Sequence, residues 1–202
     1  MPGSLPEPQT ALIYVRGEQA GEDMAEESNI PHRAVLRGGI AGGVIASLPM
    51  LAFAMVHAEI TGAGFWSPLR WIAAGLGDVC ALIMAGEARG STSTAGVLLT
   101  GAIIHLLFSA GWGIVFVRLF PRLRGIAALG VGLLYGVGVW VVMTWGVLTW
   151  LDRPMYDRVQ LAAGAFFVQH LVYGGFLALA PGLAHRWSGK GPVNPILTLR
   201  LN

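Results

Sequence analysis

The chain of 202 residues carries a formal net charge of +2, with 54% hydrophobic and 12% charged residues. A soluble domain carries roughly 25% charged residues, so this chain has too few charges to cover a soluble surface. The composition therefore predicts an integral membrane protein. No basic run is interleaved with aromatic residues, which argues against nucleic acid as a partner. Cys80 is the single cysteine, so an intrachain disulfide is excluded.

Residues 1–31 form an acidic and polar N-terminal extension. A secretory signal peptide has a basic start and an early apolar run, whereas the first apolar run here begins near Ala34. We therefore expect that run to be retained as a membrane span. Residues 32–187 are predicted to form a transmembrane domain surrounded by lipid, and no fold is predicted for the tail 188–202.

The predicted fold class is an all-α membrane protein with four transmembrane helices, arranged as two antiparallel hairpins. A span needs about 20 mostly apolar residues. The segments that meet this requirement are approximately 34–57, 95–120, 125–151 and 159–184. Residues 69–86 are apolar but short, and a carboxylate such as that of Asp78 is costly at bilayer depth. We predict that this segment is an interfacial or re-entrant helix between spans one and two.

The basic residues predict the orientation of the spans. With four spans, one side of the membrane receives Arg33, Arg37, Arg118, Arg122, Arg124, Arg186 and Lys190. The other side receives Arg70, Arg89, Arg153 and Arg158. Basic residues are enriched in cytoplasmic loops. We therefore expect a multi-pass protein of the bacterial inner (cytoplasmic) membrane with both termini in the cytoplasm.

Small residues recur at a spacing of four in all four predicted spans. The pairs are Gly38 with Gly42, Gly39 with Gly43, Ser109 with Gly113, Gly132 with Gly136, and Gly174 with Ala178. In lipid, faces of small residues allow helix backbones to approach closely and gain dispersion contacts. We predict that these pairs are helix-packing faces. The alternative is that glycine is simply tolerated in membrane helices.

A short similarity links spans two and four, which read HLLFSAGWG from His105 and HLVYGGFLA from His170. At a rise of about 1.5 Å per residue, both histidines would lie near the middle of the bilayer. The two hairpins would then be copies of one unit. Ionisable residues inside a membrane are a reason to look for function.

Several roles remain open for His105 and His170. The imidazoles could fix helix register by hydrogen bonds across helices. The candidate partners are Ser109, Tyr135, Tyr173, Gln169 and each other. They could instead be the axial ligands of a b-type haem in the bundle core. They could belong to a proton path, although the four spans contain no carboxylate. A quinone or small-molecule pocket lined by Trp112, Trp140 and Tyr135 is a further possibility.

Four polar residues, His57, Glu59, Asp78 and Glu87, could gather at one membrane boundary. Their spacing matches no known ligand pattern, so we expect solvated side chains and no metal. The sequence also lacks a Gly-x-Ser-x-Gly elbow, a phosphate-binding loop and a His-Glu-x-x-His motif. This favours a protein that is not an enzyme.

The order of several short motifs resembles a family of uncharacterised four-helix membrane proteins of bacteria and archaea. The motifs are GGIAGG at 38–43, HLLFSAGWG at 105–113, LFPRLRG at 119–125 and HLVYG at 170–174. The resemblance covers about residues 34–184 and implies the four-helix fold. The family has no established activity, so the resemblance implies no function.

The sequence thus predicts a non-catalytic accessory or structural subunit of a larger membrane complex, which could be an electron-transfer complex. Its partners would be membrane lipids and other membrane-protein subunits, and no cofactor is expected. The first alternative is a haem b-binding electron-transfer protein with His105 and His170 as ligands. The second alternative is a small transporter or channel.

Overall fold

The computed structural model describes residues 31–83 and 94–189, and every regular element in these two ranges is helical. The helices are α1 (His32–Ile60), α2 (Ser67–Ile83), α3 (Thr94–Leu119), α4 (Gly125–Val141), α5 (Arg153–Leu161), α6 (Ala163–Leu177) and α7 (Ala180–Trp187). A π-helical segment, Val142–Leu148, and a last α-helical turn, Thr149–Leu151, continue α4. Most of the predicted N-terminal extension and C-terminal tail lies outside the described residues.

Four helical stretches are long and apolar enough to cross a membrane. They are His32–Ile60, Thr94–Leu119, Gly125–Leu151 and Ala163–Trp187. The prediction of an all-α fold with four candidate membrane spans is thus confirmed, and the first three spans lie close to their predicted boundaries.

The fourth span differs from the predicted segment 159–184. Val159 belongs to α5, and the backbone departs from helical geometry at Ala162 (φ −123°, ψ 33°) before α6 begins. Because α5 carries charged side chains, it favours the polar boundary of a membrane, and the break separates it from the apolar span. A second break, between α6 and α7, precedes Pro181, which has no N–H group to continue a helix.

α1 is the central helix of the bundle and contacts α2, α3, α6 and α7. One of its faces meets α3 through glycines. A Cβ atom added at Gly39 would lie 2.5 Å from the Cα atom of Ile114, and one added at Gly43 would overlap the carbonyl group of Ser109. Gly113 of α3 in turn faces the backbone of Gly39 and Gly43. Larger residues would separate the two helices, so these glycines set the distance between α1 and α3.

A neighbouring face of α1 meets α7. Gly38 lies against Ala184, and Gly42 lies against Ala180. Both alanines are completely buried. The short stretch 38–43 therefore brings α1 against two different helices.

α4 and α6 make a third close contact. Gly174 faces the backbone of Gly132 and Gly136. A Cβ atom added at Gly136 would overlap the carbonyl group of His170, and one added at Gly132 would lie 3.5 Å from the Cβ atom of Ala178. One glycine of α6 thus fits between two glycines of α4, as Gly113 fits between two glycines of α1.

The buried core lies toward the end of the bundle where α1 begins and α3 ends. It consists of Val35, Ala46, Phe116, Val117, Tyr173, Leu177, Ala180 and Ala184. Two tyrosines join helices beside it. The Tyr173 hydroxyl donates to the carbonyl oxygen of Ser109 at 2.7 Å, and the Tyr135 hydroxyl donates to that of Trp112 at 2.9 Å. These bonds link α6 and α4 to α3.

α2 corresponds to the segment 69–86 that the sequence predicts to lie at the membrane boundary. It packs against α3. A Cβ atom added at Gly101 of α3 would overlap the carbonyl group of Leu69 of α2. Residues 84–93 lie outside the described residues.

The close contact between α1 and α3 predicts a difference between two glycine-to-alanine variants. Gly43→Ala should be less stable than Gly111→Ala by about 1–3 kcal/mol, the usual cost of overpacking. In the described part of the chain, no atom other than the neighbouring backbone of α3 lies within 4 Å of a Cβ atom added at Gly111, and both variants gain the same helix propensity. Unfolding of each variant by SDS in mixed micelles, followed by circular dichroism, measures the difference. Equal stabilities would contradict the packing role of Gly43.

Candidate functional site

A cavity of about 210 Å³ lies between the helices, toward the end of the bundle where α1 ends and α6 begins. Residues of α1, α2, α3, α5, α6 and the π-helical segment form its wall, and most of them are apolar. Cavities of about 150 Å³ bind benzene-sized molecules in other proteins. This cavity therefore has room for a small organic ring.

Two departures from regular α-helix occur beside the cavity. Pro49 lies inside α1, and because it has no N–H group it leaves the carbonyl oxygen of Ile45 without its helical partner. The π-helical segment Val142–Leu148 contributes Met143 and Leu148 to the cavity wall. Such segments are frequent at functional sites because they change the direction of neighbouring side chains.

His170 lies in the wall of the cavity and is 3% exposed. Its Nδ1 atom is 2.8 Å from the carbonyl oxygen of Phe166, one turn earlier in α6. A carbonyl oxygen accepts hydrogen bonds and cannot donate them, so Nδ1 carries the hydrogen. The Phe166 ring packs edge-on against the imidazole, with ring centroids 4.5 Å apart. Backbone and ring together fix the orientation of His170.

His105 lies in the same cavity wall, on α3, with its imidazole beside the backbone of Ser47 in α1. Its Nε2 atom is buried and makes no hydrogen bond with any described residue. A buried polar group without a partner costs about 1–3 kcal/mol. The site therefore contains an unsatisfied nitrogen that faces apolar surroundings.

The hydrogen bonds that the sequence predicts across helices differ from those observed. The Ser109 hydroxyl donates to the carbonyl oxygen of His105 in its own helix, and the tyrosine hydroxyls donate to backbone carbonyls of α3. Among the described residues, neither His105 nor His170 forms a hydrogen bond with a side chain of another helix. The predicted bonds from the histidines to side chains of other helices are therefore not found among the described residues, and the tyrosine hydroxyls bond across helices to the backbone of α3.

A second cavity, of about 50 Å³, lies beside the first. Both cavities are lined by Met50, His105, Phe108, Met143 and His170. The smaller cavity extends toward the core, with the remaining wall formed by Ser109, Trp112, Val139 and Tyr173. The two histidines thus lie between a larger space near one end of the bundle and a smaller space that ends at the core.

The larger cavity is bordered by polar residues of α5. The Asp152 carboxylate accepts a hydrogen bond from the backbone N–H of Met155 at 2.9 Å and so caps the first turn of α5. A Cβ atom added at Gly75 of α2 would overlap this carboxylate. The guanidinium of Arg158 lies 5.7 Å from the centre of the Trp71 ring. These contacts hold α5 against α2 at the rim of the cavity.

The predicted aromatic pocket is assembled in part. Trp112 borders the smaller cavity and lies edge-on to Tyr135, with ring centroids 6.2 Å apart. Trp140 instead packs edge-on against Trp145 and Phe167, with 5.0 Å between ring centroids in each pair. Its buried Nε1 atom has no partner among the described residues.

The four polar residues considered as metal ligands can be placed only in part. His57 lines the larger cavity, and Glu59 is exposed at the end of α1. Glu87 and the side chain of Asp78 lie outside the described residues. Among the side chains that the structure describes, in residues 31–75 and 94–189, no group of three His, Cys, Asp or Glu could hold a metal ion.

The sequence analysis did not identify α5 or the π-helical segment. A signal for α5 was present, because Asp152 followed by Pro154 matches the preference for Asp before a helix and Pro in its first turn. No comparable local signal marks the π-helical segment. Phe108, Met143 and Phe166 lie within predicted spans, and no local pattern distinguishes them from other apolar residues of those spans.

Comparison with known proteins gives no matching family model, no matching curated protein and no matching solved structure.

The capping bond of Asp152 predicts a local loss of stability in Asp152→Ala. The variant should lose about 0.5–2 kcal/mol, the usual effect of removing an N-cap, and amide hydrogen exchange should accelerate in the first turn of α5. Asp157→Ala is the matched control, because the salt bridge between Asp157 and Arg153 at 3.3 Å joins exposed side chains and is expected to contribute little. Equal exchange rates in both variants would contradict the capping role.

Proposed function

We propose that this chain is a multi-pass membrane protein that binds a small lipophilic molecule in the cavity beside His105 and His170. The observation that carries the proposal is a cavity of about 210 Å³ lined by both His105 and His170, together with the buried Nε2 atom of His105, which has no hydrogen-bond partner among the described residues. Ligand pockets typically combine apolar walls with a few convergent polar groups. This cavity has that composition.

A cavity of this kind would only lower the stability of the fold if packing were the sole role of its wall. Side chains that border a void lose dispersion contacts, and an unpaired buried nitrogen adds the cost of a missing hydrogen bond. A bound molecule would restore both. The proposal accounts for the cavity and the unpaired nitrogen together.

The position of the core supports a binding site more than an open pore. Phe116 and Leu177 are completely buried where α3 and α6 approach each other, beyond the smaller cavity. A continuous path for ions would have to pass this region. The transporter or channel alternative remains a prediction that requires a second conformation.

We further propose the arrangement of the spans in the membrane. Contacts of α1 residues 39 and 43 with α3 residues 113 and 109, and of α4 residue 136 with α6 residue 170, support two antiparallel hairpins. The charged residues of α5, and its contact with α2, support an interfacial position for both short helices. The excess of basic residues at the opposite end supports cytoplasmic termini.

The proposed topology predicts which cysteine variants a membrane-impermeant maleimide labels on intact cells. In a Cys80→Ser background, Ala63→Cys and Asp157→Cys should be labelled from outside. Arg122→Cys should be labelled only after the cells are permeabilised. The reversed pattern would place the termini outside, and labelling of all three on intact cells would contradict the four-span arrangement.

Haem b stays a second prediction for His105 and His170, although a cavity of about 210 Å³ is too small for a whole porphyrin unless the helices lie further apart. It is favoured by the shared position of His105 and His170 in the walls of both cavities. A histidine that ligates a metal usually donates its other N–H to a carbonyl or carboxylate, as His170 does to Phe166. The role as an accessory subunit of a larger complex also stays a prediction.

Purification of the full chain from native membranes into lipid nanodiscs tests the binding proposal. Mass spectrometry should detect one organic molecule retained per chain, and this molecule should be lost in Ala165→Trp, which fills the cavity. Ala127→Trp, on the exposed face of α4, should retain it. An absorption spectrum of the same sample identifies haem by a Soret band that disappears in His105→Ala and His170→Ala.

Absence of any retained molecule, together with failure to bind added lipophilic probes, would overturn the binding proposal. Co-purification with larger subunits, without a molecule bound in the cavity, would instead support the accessory role. Ala165→Trp and Ala127→Trp must each give the wild-type circular dichroism spectrum before their ligand content is compared.

A further inference from the structure

The hydrogen-bonding state of His170 restricts the chemistry of the molecule that the cavity can hold. Its Nδ1 atom faces the carbonyl oxygen of Phe166 at 2.8 Å and must carry a hydrogen to form that bond. In a neutral imidazole the other nitrogen then has a lone pair and no hydrogen. The neutral form is expected because a charged side chain at this depth is costly. Nε2 of His170 can therefore accept a hydrogen bond but cannot donate one.

Nothing in the described part of the chain donates to that lone pair. The hydroxyls in the walls of the two cavities donate elsewhere: Thr61 to the carbonyl oxygen of His57, Tyr173 to that of Ser109, and Ser109 to that of His105. A hydrocarbon, an ether or a carbonyl group would leave the nitrogen unsatisfied, because none of these groups has a hydrogen to donate.

We infer that the ligand bears a hydroxyl group on an aromatic ring, as in a phenol or a reduced quinone, and that this hydroxyl lies between His170 and His105. The inference rests on the binding function proposed above and adds the chemical class of the ligand. The hydroxyl hydrogen is donated to Nε2 of His170. The hydroxyl oxygen keeps two lone pairs, and Nε2 of His105 can donate to one of them only in the tautomer that carries the hydrogen on Nε2 and does not use it at Nδ1 for the backbone of Ser47.

The rest of the wall is suited to a ring. Phe108, Phe166 and Trp71 present aromatic surfaces, and Met143 and Met155 present thioethers. Aromatic rings pack well edge-on or offset against one another, and methionine adapts to flat aromatic partners. The volume of about 210 Å³ admits one ring with a short substituent. A longer tail would have to leave through the rim near Arg158.

A matched pair of probes tests the inference on the full chain in nanodiscs. The probes are 4-propylphenol and 4-propylanisole, which differ by replacement of the hydroxyl hydrogen with a methyl group. Binding is measured by isothermal titration, with empty nanodiscs and the cavity-filling variant Ala165→Trp as backgrounds. We expect the phenol to bind at least tenfold more tightly than the anisole.

His170→Phe retains a ring of similar size but removes the acceptor, and it should reduce the preference for the phenol to less than twofold. His32→Phe is the matched control, because His32 is exposed at the start of α1 and lines neither cavity, so its loss should leave the preference unchanged. A preference that survives in His170→Phe would overturn the assignment of the hydroxyl to His170.

A second measurement does not depend on the folding of a variant. In wild-type protein labelled with ¹⁵N-histidine, the Nε2 resonance of His170 should shift on addition of the phenol and stay unchanged with the anisole. Equal affinities and equal shifts for the two probes would overturn the ligand class while leaving cavity binding intact. Binding of neither probe above both backgrounds would instead count against the proposed function itself.

Discussion

The close approach of α1 to its neighbours is the constraint on which the rest of the structure depends. In lipid, apolar side chains gain little from leaving one apolar environment for another, so helices associate through dispersion contacts between surfaces that fit. α1 provides two such surfaces from six residues, 38–43, one toward α3 and one toward α7. A single helix thereby positions α3 and α7. The tyrosine bonds to Ser109 and Trp112 fix α6 and α4 relative to α3.

The same helix also explains why the bundle is tight at one end and open at the other. In the part of α1 that ends at Ala46, glycine and alanine residues contact the neighbouring helices. Ala46 itself is completely buried. From Pro49 onward the residues facing inward include Met50 and Leu51, which line the cavity. Larger side chains hold helices further apart, so the core and the cavity occupy opposite ends. The histidines lie where the close packing gives way to open space.

The short similarity between spans two and four has a structural counterpart, but in a different register. Aligning the two motifs places His105 at the same position as His170. By their contacts, however, Gly113 corresponds to Gly174, because each fits between two glycines of a neighbouring helix. Gly113 follows its histidine by eight residues and Gly174 follows by four, so the two alignments differ by about one helical turn. The sequence similarity therefore aligns the histidines, whereas the glycine contacts align α3 with α6 about one turn away from that register.

By itself, the sequence determined the helical class and the approximate position of the candidate spans, because hydropathy over some 20 residues is a local property that lipid enforces. It also indicated which small residues and which histidines to examine. It did not determine where the helix breaks fall at Ala162 and in the π-helical segment, nor that tyrosine hydroxyls bond across helices to backbone carbonyls of α3. Those features, and the cavity that unites His105 with His170, depend on side chains from several helices meeting in space. No local sequence pattern predicts which side chains of different helices come into contact, because the fit of whole helix surfaces decides those contacts.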